Sequence, residues 1–155
     1  MQLIILRHGK AEDKGHKRDF DRELVERGFE QVRKAGELLK ATEHLPAIVL
    51  TSPLVRAKQT AETFCEAAGI DGPIVQPWIA SGMHPETALS ELKAFAEHRR
   101  VMIVGHEPDL SDLIAWICGG TVDLPTGSLA ALELMPPTPK GQLVYLIPPT
   151  VVIER

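Results

Sequence analysis

Disulfide frameworks, base-stacking surfaces and membrane spans all need residues that this chain has in short supply. It carries two cysteines in 155 residues, Cys65 and Cys118, each inside an apolar helical pattern and neither in a C-x-x-C pair. That placement argues against a disulfide framework or a zinc site and predicts two buried free thiols. One tyrosine, two tryptophans and four phenylalanines fall short of the aromatic density of a base-stacking surface. Positive charge is not in excess either. The chain has 17 Lys and Arg against 21 Asp and Glu, a formal net charge of −4, whereas phosphate-backbone binding normally leaves a strongly basic face. Nucleic acid is therefore not an expected partner, and any anion recognition must be local. No apolar run approaches membrane-spanning length, and no basic segment leading into a long apolar stretch opens the chain. The expectation is a cytoplasmic protein with no membrane partner.

What the chain does have is a 44% hydrophobic content arranged in short aliphatic runs and helical stripes. At this length one core can bury roughly two thirds of the unfolded surface, which predicts a single domain over residues 1–155. Leu3 to Leu6 and Val101 to Val104 are aliphatic runs that end abruptly in polar or flexible residues, the pattern of buried parallel strands. Ala47 to Leu50 reads as another strand and Ile74 to Val75 as a weaker one. Leu129 to Met135 and Leu143 to Ile147 look like a terminal pair of strands around a Pro-rich connection. From Leu24 to Leu39 the apolar or small residues Val25, Gly28, Val32, Ala35, Gly36 and Leu39 recur at helical spacing. Further helices are predicted over about 53–68, over Thr87 to Glu97, and from near Pro108 to Cys118. Ser52 and Pro53 read as the N-cap and first position of the second helix, and Gly69 closes it. Residues 10–22 form a polar loop, and Gln76 to Pro85 a loop over the carboxyl edge of the sheet. Strand and helix alternate through residue 118. This predicts an α/β fold in one three-layer domain: a mostly parallel central sheet, helices on both faces, and an antiparallel edge from the last pair.

The chemistry sits where such a sheet would place it. Arg7, His8 and Gly9 follow the first aliphatic run, and Gly105 and His106 follow the second, so two strands end on an imidazole. Ligands of open α/β sheets bind at those ends. A phosphate ester or phosphoramidate carries about two negative charges, which must be neutralised before a nucleophile can approach. The planar fork of arginine grips two oxygens at once and stays charged at any working pH. Arg7 lies beside His8, and Arg56 lies in the first turn of a helix whose side chains lean back toward the strand ends. Neighbouring arginines favour an unprotonated His8, the state a nucleophile needs. His106, if protonated, could stabilise charge on a transferring oxygen, helped by the positive end of the helix that begins near Pro108. Other chemistries fail on spacing. Ile4 stands where a P-loop ending in Gly9 and Lys10 needs glycine, and no G-x-G-x-x-G follows a strand. His16, His44, His84 and His98 show no metal-ligand pattern and read as surface residues, with His84 near the pocket rim. Neither a metal nor a cofactor is expected.

Leu6-Arg7-His8-Gly9-Lys10-Ala11-Glu12 resembles the signature of the histidine phosphatase superfamily, also called phosphoglycerate mutase-like. Three further stretches agree in order and spacing: Asp21-Arg22-Glu23-Leu24 with Glu26-Arg27-Gly28, the run Thr51-Ser52-Pro53-Leu54-Val55-Arg56 through Glu62, and Val104-Gly105-His106-Glu107-Pro108. Together they cover residues 3 to about 118. Small size and the Arg-His-Gly-x-Ala form resemble the SixA-like phosphohistidine phosphatases of bacteria. The resemblance implies a phosphoglycerate mutase-like fold without large cap insertions, with His8 as the phosphorylated nucleophile, Arg7 and Arg56 as phosphate ligands, and His106 completing the catalytic group. It also implies a substrate-binding role for Arg22, whose alternative is a loop arginine paired with Asp19 or Asp21.

Larger relatives acting on sugar phosphates carry a glutamate after the third strand that protonates the leaving oxygen. The corresponding stretch here is Trp78-Ile79-Ala80-Ser81-Gly82, with no carboxylate, and the candidate substitutes are Glu86, Asp19 and Glu12. An alkoxide needs that proton, whereas an imidazole with a reference pKa near 6.5 leaves without a dedicated acid. The expected substrate is therefore a phosphohistidine on a signalling or phosphotransfer protein, with inorganic phosphate as product. The alternatives are a phosphomonoesterase of small metabolites and a phosphoprotein-binding module without turnover.

Overall fold

The computed structural model describes residues 1–135 and 140–153. Its centre is a six-stranded sheet in the order β3-β2-β4-β1-β5-β6, with β1 at Gln2–Arg7, β2 at Ile48–Thr51, β3 at Ile74–Val75, β4 at Arg100–Gly105, β5 at Leu129–Leu134 and β6 at Gly141–Ile147. The pairings of β1 with β4, β4 with β2 and β2 with β3 are parallel, while β5 and β6 add the expected antiparallel edge. Leu3, Ile4, Ile5 and Leu6 are all fully buried, and alternation along the strand divides them between two cores. Leu3 and Ile5 join the helices α3 (Pro85–Leu92) and α4 (Asp109–Cys118) on one face. Ile4 and Leu6 join α1 (Glu26–Ala41) and α2 (Val55–Ala68) on the other. This is the predicted three-layer arrangement.

Several boundaries differ from the sequence reading for identifiable reasons. Ser52 does not cap α2. The chain stays extended through Leu54, whose φ of −64° and ψ of 140° make it the N-cap, because β2 continues into Thr51 to pair with Val75. Ser52 Oγ instead accepts the Leu54 amide at 3.2 Å. The third helix is shorter than predicted, closing at Leu92 into a 3-10 turn at Lys93–Phe95. A terminal helix, α5 at Thr150–Ile153, has no counterpart in the sequence reading. Most of the predicted Pro-rich connection, residues 136–139, lies outside the described residues. Both cysteines are free, but only Cys65 is buried; Cys118 is half-buried at the end of α4.

The polar loop after β1 is tied down rather than loose. Ala11 bridges Leu24, the Glu12 amide donates to the Glu23 carbonyl, and Lys17 pairs with both the Glu12 and Glu23 carboxylates. A 3-10 turn at Asp19–Asp21 then brings the loop back over the carboxyl ends of the strands. Glycine makes the seam between this loop and α1 possible. A Cβ on Gly28 would lie 2.1 Å from the Lys10 carbonyl oxygen, and one on Gly9 would lie 2.6 Å from that of Gly28.

Candidate active site

Strand register assembles the site. Arg7 sits opposite Gly105, so His8 and His106 leave the sheet side by side, and the His8 amide donates to the Gly105 carbonyl at 3.1 Å. Thr51 sits opposite Val104, which brings Ser52 to the same edge. The two imidazoles face one another with ring centroids 5.4 Å apart and planes inclined at 51°. His8 Nδ1 lies 2.8 Å from the Gly9 carbonyl. A carbonyl can only accept, so Nδ1 carries the proton and Nε2 the lone pair. Arg56 Nε, 3.4 Å from His8 Nε2, is a donor and agrees with that assignment. Thr60 couples the nucleophile's loop to α2: its Oγ1 accepts the Gly9 amide at 3.1 Å and donates to the Arg56 carbonyl at 2.7 Å.

Both imidazoles are held neutral. Burial pushes the His8 pKa down to about 4, reinforced by the charges of Arg56, Arg7 and Arg22 against the opposing bond to Gly9. His106 is pushed down to about 3, again by burial first, then by His8 and Arg56, with Asp19 acting in the opposite direction. The protonated form considered from the sequence is thus disfavoured in the free protein. There the ring is neutral, because burial, a second buried ring and the guanidiniums of Arg56 and Arg7 disfavour a further positive charge.

Two nitrogens at this centre have no partner. Arg7 donates through its terminal NH1 to the Leu124 carbonyl at 2.9 Å, but its buried Nε makes no hydrogen bond, and neither does the buried Nδ1 of His106. Buried polar groups are normally satisfied. Both orphans belong to residues beside His8, one its chain neighbour and the other the imidazole facing it.

Arg56, Arg7, His8 and His106, the residues singled out by sequence, thus come together. Arg22 joins them indirectly. It donates to the Glu12 carbonyl and, through NH1, to Asp19 Oδ1, each at 2.9 Å, so the loop pairing with Asp19 is the contact formed. The same Asp19 takes Arg56 on its carbonyl at 2.8 Å and on Oδ2 at 3.2 Å. Ser52 and Thr60 did not emerge as site-builders from sequence, and Asp19 emerged only as a partner of Arg22 or a substitute acid, because the ties of Ser52 to His106, Thr60 to Gly9 and Asp19 to Arg56 span at least thirty-seven positions. Of the other histidines, His16, His44 and His84 are exposed and His98 is half-buried beside Glu97. No group of three or more His, Cys, Asp or Glu arranged to hold a metal occurs among the described residues.

An uncharacterized protein of Picosynechococcus sp. is 34% identical over 119 residues, which cover 72% of this chain and 70% of that protein. The family described as histidine phosphatase superfamily (branch 1) matches residues 3–78. The chain belongs to the histidine phosphatase superfamily. The matched stretch holds Arg7, His8, Arg22 and Arg56, and the fold supplies His106 from beyond it. A solved structure of the protein histidine phosphatase SixA complexed with tungstate superposes with a TM-score of 0.89 at 25% identity, covering 97% of this chain and 99% of that one. The histidine phosphatase fold here is thus SixA-like across almost its whole length. A 2,3-bisphosphoglycerate-dependent phosphoglycerate mutase of Corynebacterium diphtheriae is 38% identical over 87 residues, a stretch spanning 54% of this chain and only 35% of that protein.

Proposed function

We propose that this histidine phosphatase hydrolyses phosphohistidine on a protein substrate through a phosphorylated His8, without a cofactor. The observation that carries the reading is the lone pair of His8 Nε2 beside Arg56 Nε at 3.4 Å, in a corner that also holds the unpartnered nitrogens of Arg7 and His106. Nε2 attacks the phosphorus while the bond from phosphorus to the substrate imidazole breaks. The departing ring keeps the electron pair and takes a proton from solvent. Water then attacks phospho-His8, releasing inorganic phosphate and restoring the free imidazole. Arg7, Arg56 and His106 serve as catalytic residues by donating to the phosphoryl oxygens, and Arg22 as a substrate-binding residue reinforces the positive field.

The state of the carboxyls named as substitute acids supports phosphohistidine over a phosphate ester. Asp19 is held below the usual carboxylate range by hydrogen bonding to Arg22 and by the Arg56 charge. Glu12 is held down by its bond to Lys17. Both therefore stay ionised and are poor proton donors to an alkoxide. Glu86 is exposed on the first turn of α3. The small-molecule phosphomonoesterase is the second reading, favoured by the match to a phosphoglycerate mutase.

The test is phosphate release from a histidine phosphotransfer domain phosphorylated on its histidine, compared with release from 3-phosphoglycerate. Faster turnover of the phosphohistidine, with an acid-labile phosphoprotein trapped in the wild type and none in His8→Ala, is the expected result. Preferential turnover of the ester would establish the second reading. Full activity in His8→Ala would refute the covalent route.

A further inference from the structure

Ser52 is fully buried, and the donor count around its hydroxyl has one solution. Its Oγ accepts the Leu54 amide at 3.2 Å and lies 2.7 Å from His106 Nε2. A hydroxyl has one proton to give and two lone pairs to receive with. If His106 Nε2 carried a proton and donated it to Ser52, the Ser52 proton would be left without an acceptor, since the partners of Oγ would then both be donors. That is the costly kind of unsatisfied group. If the hydroxyl donates to Nε2, every group on Ser52 is used.

We infer that Ser52 is a positioning residue that fixes His106 as the neutral tautomer with its proton on Nδ1. The consequence lies at the atom left over. His106 Nδ1 is the buried nitrogen without a partner, and in this tautomer it is a donor free for a phosphoryl oxygen rather than a lone pair that would repel one. A ring kept neutral by burial between cationic neighbours can still stabilise developing negative charge, provided that the right nitrogen bears the hydrogen. The serine supplies that condition from the end of the neighbouring strand.

The inference rests on the proposed phosphatase reading for its catalytic consequence, but the tautomer itself belongs to the free protein. Nitrogen-15 NMR of histidine-labelled protein, with the His106 signals assigned by their loss in His106→Gln, tests it without any substrate. The expected spectrum has a protonated Nδ1 and an unprotonated Nε2 for His106. A protonated Nε2, or an even mixture, overturns the inference and leaves the phosphatase reading untouched. In Ser52→Ala the single tautomer is expected to be lost. With polyhistidine phosphorylated by phosphoramidate as substrate, kcat should fall about tenfold, a fraction of the roughly hundredfold loss when an oxyanion donor is removed outright, with KM little changed. Ser52→Thr, which keeps the hydroxyl, should restore both the tautomer and the rate. An Ala variant with wild-type kcat would also overturn the inference.

Discussion

At the scale of single residues, the central fact is that two histidines share a buried, cationic corner and neither takes a proton near neutral pH. Its sign can be worked out. The His8 pKa falls from 6.5 to about 4 and that of His106 to about 3, so between pH 6.5 and about 4 the unfolded chain binds protons that the folded one refuses. Stability therefore declines as pH falls through that window and is level above it. At 1.36 kcal/mol per unit, His8 alone withdraws roughly 3 kcal/mol. Thermal unfolding followed from pH 7 to 4 should show a falling Tm, with a shallower slope in His8→Gln; equal slopes would contradict the shift. Single-turnover phosphorylation of His8 should persist at pH 5.5, where an unshifted imidazole is mostly protonated, and fade toward pH 4. Arg7, His8, Arg56 and His106 were legible in the sequence because each ends or follows a strand or lies in the first turn of a helix. The tie between Ser52 and His106 spans 54 positions and depends on strand register, which no local pattern encodes.

At the scale of elements, the strands were easier to read than the helix starts. Aliphatic runs such as Leu3 to Leu6 leave few alternatives to a strand buried on both faces. The start of α2 was misread because Ser52-Pro53 has the composition of a cap, while the pairing of Thr51 with Val75 prolongs the extended chain beyond it. The helical stripe of α1, with Gly28 and Gly36 on it, was legible. The partner of Gly28 was not, since it is the backbone at Lys10 rather than another helix. That contact makes α1 part of the site's foundation: it holds the segment that carries His8 and Gly9, while Gln31 Oε1 accepts the Lys10 amide at 3.0 Å. Gly28→Ala forces a Cβ to within 2.1 Å of the Lys10 oxygen, so either the loop or the helix must move. Overpacking of this kind costs about 1–3 kcal/mol, and catalysis should suffer along with stability because His8 lies two residues from the clash. Lys34→Ala, on the exposed side of the same helix, should change the denaturation midpoint by a few tenths of a kcal/mol at most. A Gly28→Ala protein with unaltered midpoint and turnover would show that the seam is slack.

At the scale of the whole molecule, the proposed oxyanion site exists only in the folded chain. Its donors come from the end of β1, the start of α2 and the end of β4, and the loop after β1 braces them through Asp19. An anion that binds this constellation has nothing comparable to bind in the unfolded state, so its full binding free energy appears as global stability. Tungstate, at a concentration a hundred times its dissociation constant, should then add about 2.7 kcal/mol. For a protein of this size that corresponds to a rise in Tm of roughly 5–10 °C. The rise must be separated from general ionic effects, which a matched concentration of chloride supplies. It must also be traced to the pocket. Arg7→Ala removes the buried Nε that lacks a partner and His106→Ala removes the orphan Nδ1, so each should cut the tungstate-dependent rise by more than half. Neither should abolish folding without ligand, since Arg7 contributes one carbonyl contact to the resting protein. An equal rise in both variants would mean that the anion binds elsewhere. The two imidazoles and their arginines would then be a structural cluster rather than a phosphoryl site.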